Sequence, residues 1–436
     1  MFSKTLAGSA ALSLLAGALL LTQCERSARE DPSGIPAVAE SIPPPPVEAA
    51  PAPPPAVAIP PPLAPSPPRP IRTGPLFSLP TANDSLFAGA PGDFFMFVDR
   101  YTETGAVQVW QGGSYGFVRN PRKTAAGEVY TKFHEGIDIA PRQRDAKGEP
   151  QDPVLSISDG TVVYTTPPGA GSNYGNYIVV GHDCGKMAGT FYSLYAHLQR
   201  IDTKAGSPVK RGTPIGLMGH TGAGIDRRRS HVHLEICLMM SDRFEDYYRS
   251  QFKLPNGHEN FNGSNLTGID PAGFLTAAHL DPGLTPAEYI ATTAPAWRCL
   301  VPNKSAAELE IVVRHPFLRK PGPPGKSWEI TMDGAGVPLS VAPNAMSSPI
   351  PVVTWVKPNP GYHSWNTRNL LTGSGATAGL SPDGLRHVRL LTGDFQAPTP
   401  APPPAPGKPA KPTPAGAATI PGAPVPSSPT SSPGRK

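Results

Sequence analysis

Residues 231–239 read His-Val-His-Leu-Glu-Ile-Cys-Leu-Met, HVHLEICLM. Apolar residues at 232, 234 and 236 alternate with the two histidines and Glu235. A period of two is that of a β-strand, in which side chains at i and i+2 share a face. His231 and His233 therefore point one way, and Val232, Leu234 and Ile236 point the other way, into a core. Glu235 and Cys237 continue the histidine face. Glu235 is thus poised to accept a hydrogen bond from a neighbouring imidazole or to stand in solvent.

The chain around this strand has the same texture. FFMFVD (94–99), AVQVW (106–110), TVVYTT (161–166) and NYIVVGH (176–182) are short runs rich in β-branched and aromatic residues, separated by Gly, Pro, Asn and Asp. Helical periodicity is poor until Asp242 to Phe252. Four more runs further on, ELEIVV (308–313), SWEITM (327–332), PVVTWV (351–356) and HVRLLT (387–392), read as strands of a smaller β-rich domain. The expected class is mostly β: a β-rich domain over 76–281, then a second, smaller β-rich domain over 282–395. The polar segment 256–270 reads as a long loop.

Composition sets the limits of this folded region. Of 59 prolines in 436 residues, 18 lie between Pro32 and Pro75 and 14 between Pro398 and Pro433. Segments of that kind cannot bury a core and read as disordered. Residues 25–75 form a linker able to reach on the order of 150 Å if it adopts extended polyproline II. Residues 396–436 form a similar tail. A net charge of +5, spread thinly, gives no basis for nucleic-acid binding. After the N-terminus no apolar run is long enough for a membrane span.

The chemistry-bearing residues lie near the strand quoted first. His134-Glu135-Gly136-Ile137-Asp138 sets a histidine and an aspartate four apart, on one face of an extended segment. His197 ends another apolar run, TFYSLYAHL (190–198). Two imidazoles and one carboxylate suit a zinc ion that keeps a position open for water. The remaining seven histidines, His182, His220, His258, His279, His315, His363 and His387, read as structural, with His182 nearest to an exception. Gly136, Gly219, Gly222 and Gly224 fall where turns or close backbone approach are expected.

In order along the chain stand FHEGIDIAP (133–141), DGTVVY (159–164), YGNYIVVGH (174–182), YSLYAHL (192–198), PVKRGTPIGLMGHTG (208–222) and HVHLEI (231–236). This series, spanning roughly Gly116 to Ile236, resembles the lysostaphin-type (LytM-domain) zinc metallo-endopeptidases. The resemblance implies an antiparallel β-groove and zinc-dependent hydrolysis of peptide bonds in bacterial peptidoglycan. It implies zinc ligation by His134, Asp138 and His233, and catalytic roles for His197 and His231. The alternative is a catalytically silent relative that binds the wall or activates another hydrolase. One departure is Gly224-Ile225-Asp226-Arg227-Arg228-Arg229-Ser230, where the family has a short Ser/Thr-Gly-rich turn. The three arginines could meet substrate carboxylates or form a solvated loop.

The N-terminus carries Lys4, an apolar run from Leu6 to Leu21, and then Thr22-Gln23-Cys24. It resembles a bacterial lipoprotein signal over 1–24, which implies export to the cell envelope and a membrane anchor through lipid on Cys24. Cys184, Cys237 and Cys299 then remain, an odd number in an oxidising compartment. One disulfide with a spare thiol, or none, are both compatible with the sequence.

Overall fold

A computed structural model describes residues 76–395, apart from 103–104, 118–120, 125–126, 131–132 and 305–307. The leader and both proline-rich segments lie outside the described residues. Among those described, no helix is long and apolar enough to cross a membrane.

The first body is built on a seven-stranded antiparallel sheet. Its strands are β1 (Ile137–Ile139), β2 (Gly160–Thr165), β3 (Asn176–Asp183), β4 (Thr190–Leu198), β5 (Pro208–Val209), β6 (Val232–Met239) and β7 (Leu266–Ile269). They run in the order β5-β2-β3-β4-β6-β7, and the short β1 pairs with the N-terminal part of β6. Alternation in β6 does what its pattern dictates. Val232, Leu234 and Ile236 are buried in the main core with Ile137, Ile139, Tyr195 and Phe274. Burying each such side chain stabilises by roughly 1.5–3 kcal/mol. The histidine face is also covered, since Cys237 joins Tyr177, Val179 and Leu194 in a second cluster.

Register then sets the chemistry. His233 stands opposite Asp138 in β1 and opposite Ala196 in β4. Gly136 permits this approach, because a Cβ there would lie 2.8 Å from His233 Nε2 and still closer to the Leu234 carbonyl. His197 follows Ala196 with φ of 63°, in the left-handed region that non-glycine residues rarely adopt.

Several expectations are corrected. FFMFVD is not one strand: Pro91–Phe94 is a helical turn, and strand Val98–Thr102 forms a hairpin with Gly105–Val109. The loop expected over 256–270 contains β7, which adds an edge to the sheet through LTGI. In the C-terminal part, β8 (Trp297–Pro302), β9 (Ser327–Met332), β10 (Pro338–Asn344) and β11 (Val352–Val356) form an antiparallel sheet in the order β10-β9-β8-β11. The runs ELEIVV and HVRLLT are helical, however: Glu310–Arg314 and Pro382–Thr392. In the second, Ser381 caps the N-terminus, Pro382 opens the first turn and Gly393 ends it in the left-handed conformation. Four of its five buried residues, 384, 387, 388 and 391, follow helical spacing. Apolar content suggested strand where capping decided helix. No disulfide forms among the described cysteines, and Cys237 and Cys299 are buried thiols.

The two sheets are packed together. Phe317 N–H donates to the Met187 carbonyl (2.8 Å), and Arg314 pairs with Asp242 at 2.9 Å. His315 is buried in this seam, its Nδ1 3.2 Å from the Ala188 carbonyl, while Nε2 has no partner among the described residues. Burial, partly offset by that carbonyl, lowers the His315 imidazole to about 4. It stays neutral in the fold while the unfolded chain protonates near 6.5, so stability present above pH 6.5 is lost as pH falls toward 4. Between pH 7 and 5 the wild-type protein should therefore lose about 2 kcal/mol more stability than His315→Gln. Urea unfolding at the two pH values measures this, and equal losses would refute it.

Candidate metal centre

Five side chains from three segments converge at the junction of β1, β4 and β6. His134 Nε2 lies 3.1 Å from Asp138 Oδ1 and 3.2 Å from His233 Nδ1. His233 Nδ1 is 2.9 Å from the same carboxylate oxygen. One ligand atom from each of His134, Asp138 and His233 falls within 4.8 Å of the others, and all three residues are buried. His231 Nε2 is 3.3 Å from Asp138 Oδ1. The His197 ring stands edge-on to His231, with centroids 4.8 Å apart.

The outer nitrogens show how the rings are aimed. His134 Nδ1–H donates to the Ser114 carbonyl (2.9 Å), and His231 Nδ1–H donates to the Arg229 carbonyl (2.6 Å). His197 Nδ1–H donates to the Thr221 carbonyl at 2.9 Å, and His233 Nε2–H donates to Glu235 Oε1 at 3.0 Å. A carbonyl or carboxylate can only accept, so each outer nitrogen carries a proton, while the inner nitrogens of His134, His231 and His233 face one Asp138 oxygen, a place that a cation can take from a proton. Metal-ligating histidines are held in this way. The donor set of two imidazoles and one carboxylate, converging within a few ångströms, therefore fits a divalent cation such as zinc.

Electrostatics agree with that fit. Burial pushes the Asp138 carboxyl up, but the His134 and His231 imidazoles outweigh it and hold the group well below the usual carboxylate range. Burial pulls His233 down, yet its hydrogen bonds to Asp138 and Glu235 hold it up, at about 10. The surroundings of His233 thus favour positive charge, which a bound cation supplies. Burial, with the neighbouring His231 and His233, holds His197 well below its ordinary value.

Glu235 is not solvated. It is 2% exposed, accepts from His233 and from the Tyr174 hydroxyl (2.6 Å), and receives the Cys237 thiol at 3.2 Å. Tyr174 and the carbonyls of Ser114, Thr221 and Arg229 were not singled out from sequence. Tyr174 begins the quoted YGNYIVVGH run, whereas no residue pattern marks a carbonyl. The arginine run stays at the surface but is engaged by the protein itself: Arg228 pairs with Asp99 of the hairpin, Arg227 with Glu149 at 3.6 Å, and Arg229 donates to the Phe97 carbonyl. The other seven histidines lie outside the cluster. His182, for example, bridges the Asp159 carbonyl and Ser193 Oγ within the core.

The family model for peptidase family M23 matches residues 132–243, a span holding all five clustered side chains. Residues 132–243 are a peptidase family M23 domain. The M23 domain is similar to the lipoprotein NlpD/LppB homolog of Pseudomonas aeruginosa, 34% identical over 119 residues, covering 26% of this chain and 34% of the relative. It is similar to the peptidoglycan DD-endopeptidase ShyA of Vibrio cholerae, 39% identical over 85 residues, covering 19% of this chain and 17% of the relative. The chain thus spans about a third or less of the length of these curated relatives. Among solved structures, the catalytic domain of the antimicrobial peptidase lysostaphin from Staphylococcus simulans is 26% identical, covering 38% of this chain and 95% of that one, with a TM-score of 0.22. Outside the M23 domain lies the β8–β11 sheet.

Proposed function

We propose that the chain is a zinc-dependent endopeptidase that hydrolyses peptide bonds in bacterial peptidoglycan crosslinks. The observation that carries this reading is the convergence of four imidazoles and one carboxylate, each imidazole anchored outside and open inside. His134, Asp138 and His233 would hold the zinc. When bound, zinc polarises a carbonyl oxygen and brings the pKa of a coordinated water to about 7. His231 and His197 keep their Nδ1 protons on the Arg229 and Thr221 carbonyls. Their Nε2 lone pairs are then free to accept a proton at the reacting atom, and the protonated form can donate to a developing oxyanion or leaving nitrogen. Asp138 and Glu235 fix the ring planes and so limit the reorganisation the reaction requires.

The wall as substrate is supported by the relative named as a peptidoglycan DD-endopeptidase. Export to the cell envelope, with an anchor through Cys24, is supported by the lipoprotein relative and by the lipoprotein-like leader. Residues 76–281 would act as the catalytic unit, with 282–395 as a second domain braced against it. The silent wall-binding alternative has less support, because every expected ligand and helper side chain is retained.

Incubating purified protein with sacculi and, separately, with casein tests the reading. Crosslinked muropeptides should fall in the sacculi digest, casein should stay whole, and chelation followed by zinc should stop and then restore cleavage. Casein cleavage with intact sacculi would overturn the substrate, and inert protein with one zinc per chain would favour the silent alternative.

A further inference from the structure

A cleft of about 270 Å³ lies where the M23 domain meets the C-terminal sheet, lined by Tyr115, Phe133, Asp333, Trp365, Asn366 and Arg368. Two of its lining residues adjoin the segment that carries His134. Phe133 precedes His134, and Gly116, next to Tyr115, donates its N–H to the His134 carbonyl at 2.9 Å. Tyr115 and Phe133 meet edge to face with centroids 5.2 Å apart, and the Tyr115 hydroxyl donates to the Gly268 carbonyl at 2.7 Å. On the facing wall the half-buried Arg368 guanidinium lies over the Phe133 ring, 5.6 Å from its centroid.

Arg368 is the unusual member. It stands at φ of 51°, followed by Asn369 at 63°, two successive left-handed residues that are not glycine. A guanidinium offers five N–H donors in a planar fork. Among the described residues, Arg368 donates no hydrogen bond and forms no ion pair. Glu135 and Asp333 are close enough to feel its charge. Asp333 Oδ1, however, already accepts from the Ala335 and Val337 amides at 2.9 and 2.8 Å. With those two acids nearby the cleft has no general surplus of positive charge. Attraction there depends on the directed fork, which matches a carboxylate in two parallel hydrogen bonds.

We propose that this cleft is the subsite for a free carboxylate of the peptide strand whose neighbouring bond reaches the metal centre. Arg368 grips the carboxylate, and Tyr115, Phe133 and Trp365 flank the chain that bears it. The proposal rests on the peptidoglycan reading, since wall stem peptides carry such carboxylates. It assigns the C-terminal part, through residues 333–368, a role in substrate selection that the M23 domain alone would lack.

Calorimetric titration of the purified protein with a soluble stem peptide, in its acid form and as the amide, tests it without turnover. The acid should bind about 10- to 100-fold more tightly than the amide. Arg368→Gln should bring that ratio near one, Arg368→Lys should restore only part of it, and Trp365→Ala should weaken both forms. Zinc content and thermal melting, measured alongside, should be close to wild type in Arg368→Gln. An undiminished acid preference in Arg368→Gln overturns the subsite. If Arg368→Gln unfolds, unchanged binding by Trp365→Ala and an unchanged ratio in Arg368→Lys do the same. Wild-type protein that prefers the acid but leaves sacculi uncut would uphold the subsite and overturn the peptidase reading.

Discussion

Replacing His233 with alanine is expected to remove the metal and wall cleavage together. His233 Nδ1 meets both Asp138 Oδ1 (2.9 Å) and His134 Nε2 (3.2 Å), so its loss opens the tightest part of the cluster. Even outer-shell partners of a metal site are worth 10- to 100-fold in affinity, and a direct ligand is worth at least as much. Cleavage should fall by about a thousandfold or more, which corresponds to a barrier raised by roughly 4 kcal/mol. The same change takes one of three donors from the buried Glu235, which keeps the Tyr174 hydroxyl and the Cys237 thiol. Losing one hydrogen bond to a buried carboxylate costs on the order of 1–3 kcal/mol, so the variant should also melt earlier. Metal analysis by mass spectrometry, turnover on sacculi and a melting curve read the three effects. Protein that keeps one zinc per chain and cleaves the wall would show that His233 is no ligand.

The legibility of this site follows from where its information resides. Strand alternation in HVHLEICLM foretold both the core face and the histidine face, because a period of two leaves no other arrangement for a strand with a buried side. The i, i+4 spacing of His134 and Asp138 likewise put both on one face. The sequence could not disclose the register that sets Asp138 opposite His233, nor the carbonyls of Ser114, Thr221 and Arg229 that aim the rings, since every residue carries a carbonyl. Glu235 was legible by parity but not by environment; only folding brings Tyr174 onto it. In the C-terminal part, ELEIVV and HVRLLT have strand-like composition yet fold as helices, and only the second carries helical capping. Local propensity yielded there to Ser381, Pro382 and Gly393 at the ends of Pro382–Thr392.

His231→Ala should separate catalysis from metal binding. His231 Nε2 stands 3.3 Å from Asp138 Oδ1, barely farther than His134 Nε2 at 3.1 Å, so distance to the carboxylate alone does not divide ligand from helper. The division comes from mutual approach. His134 and His233 meet each other as well as Asp138, and a single ion can touch all three; the ring nearest His231 is instead His197. His231→Ala should therefore retain about one zinc per chain while cleavage falls roughly 100- to 10,000-fold, the range for losing a positioned acid–base group. His197→Ala should fall in the same range. The double variant should lose little beyond the worse single one, because groups that act on one proton and one oxyanion as a unit are not additive. If His231→Ala lost its zinc while His134→Ala kept it, the two histidines would exchange roles. The same five side chains would still form the centre, but the acid–base work would pass to His134, whose Nδ1 proton is already fixed on Ser114.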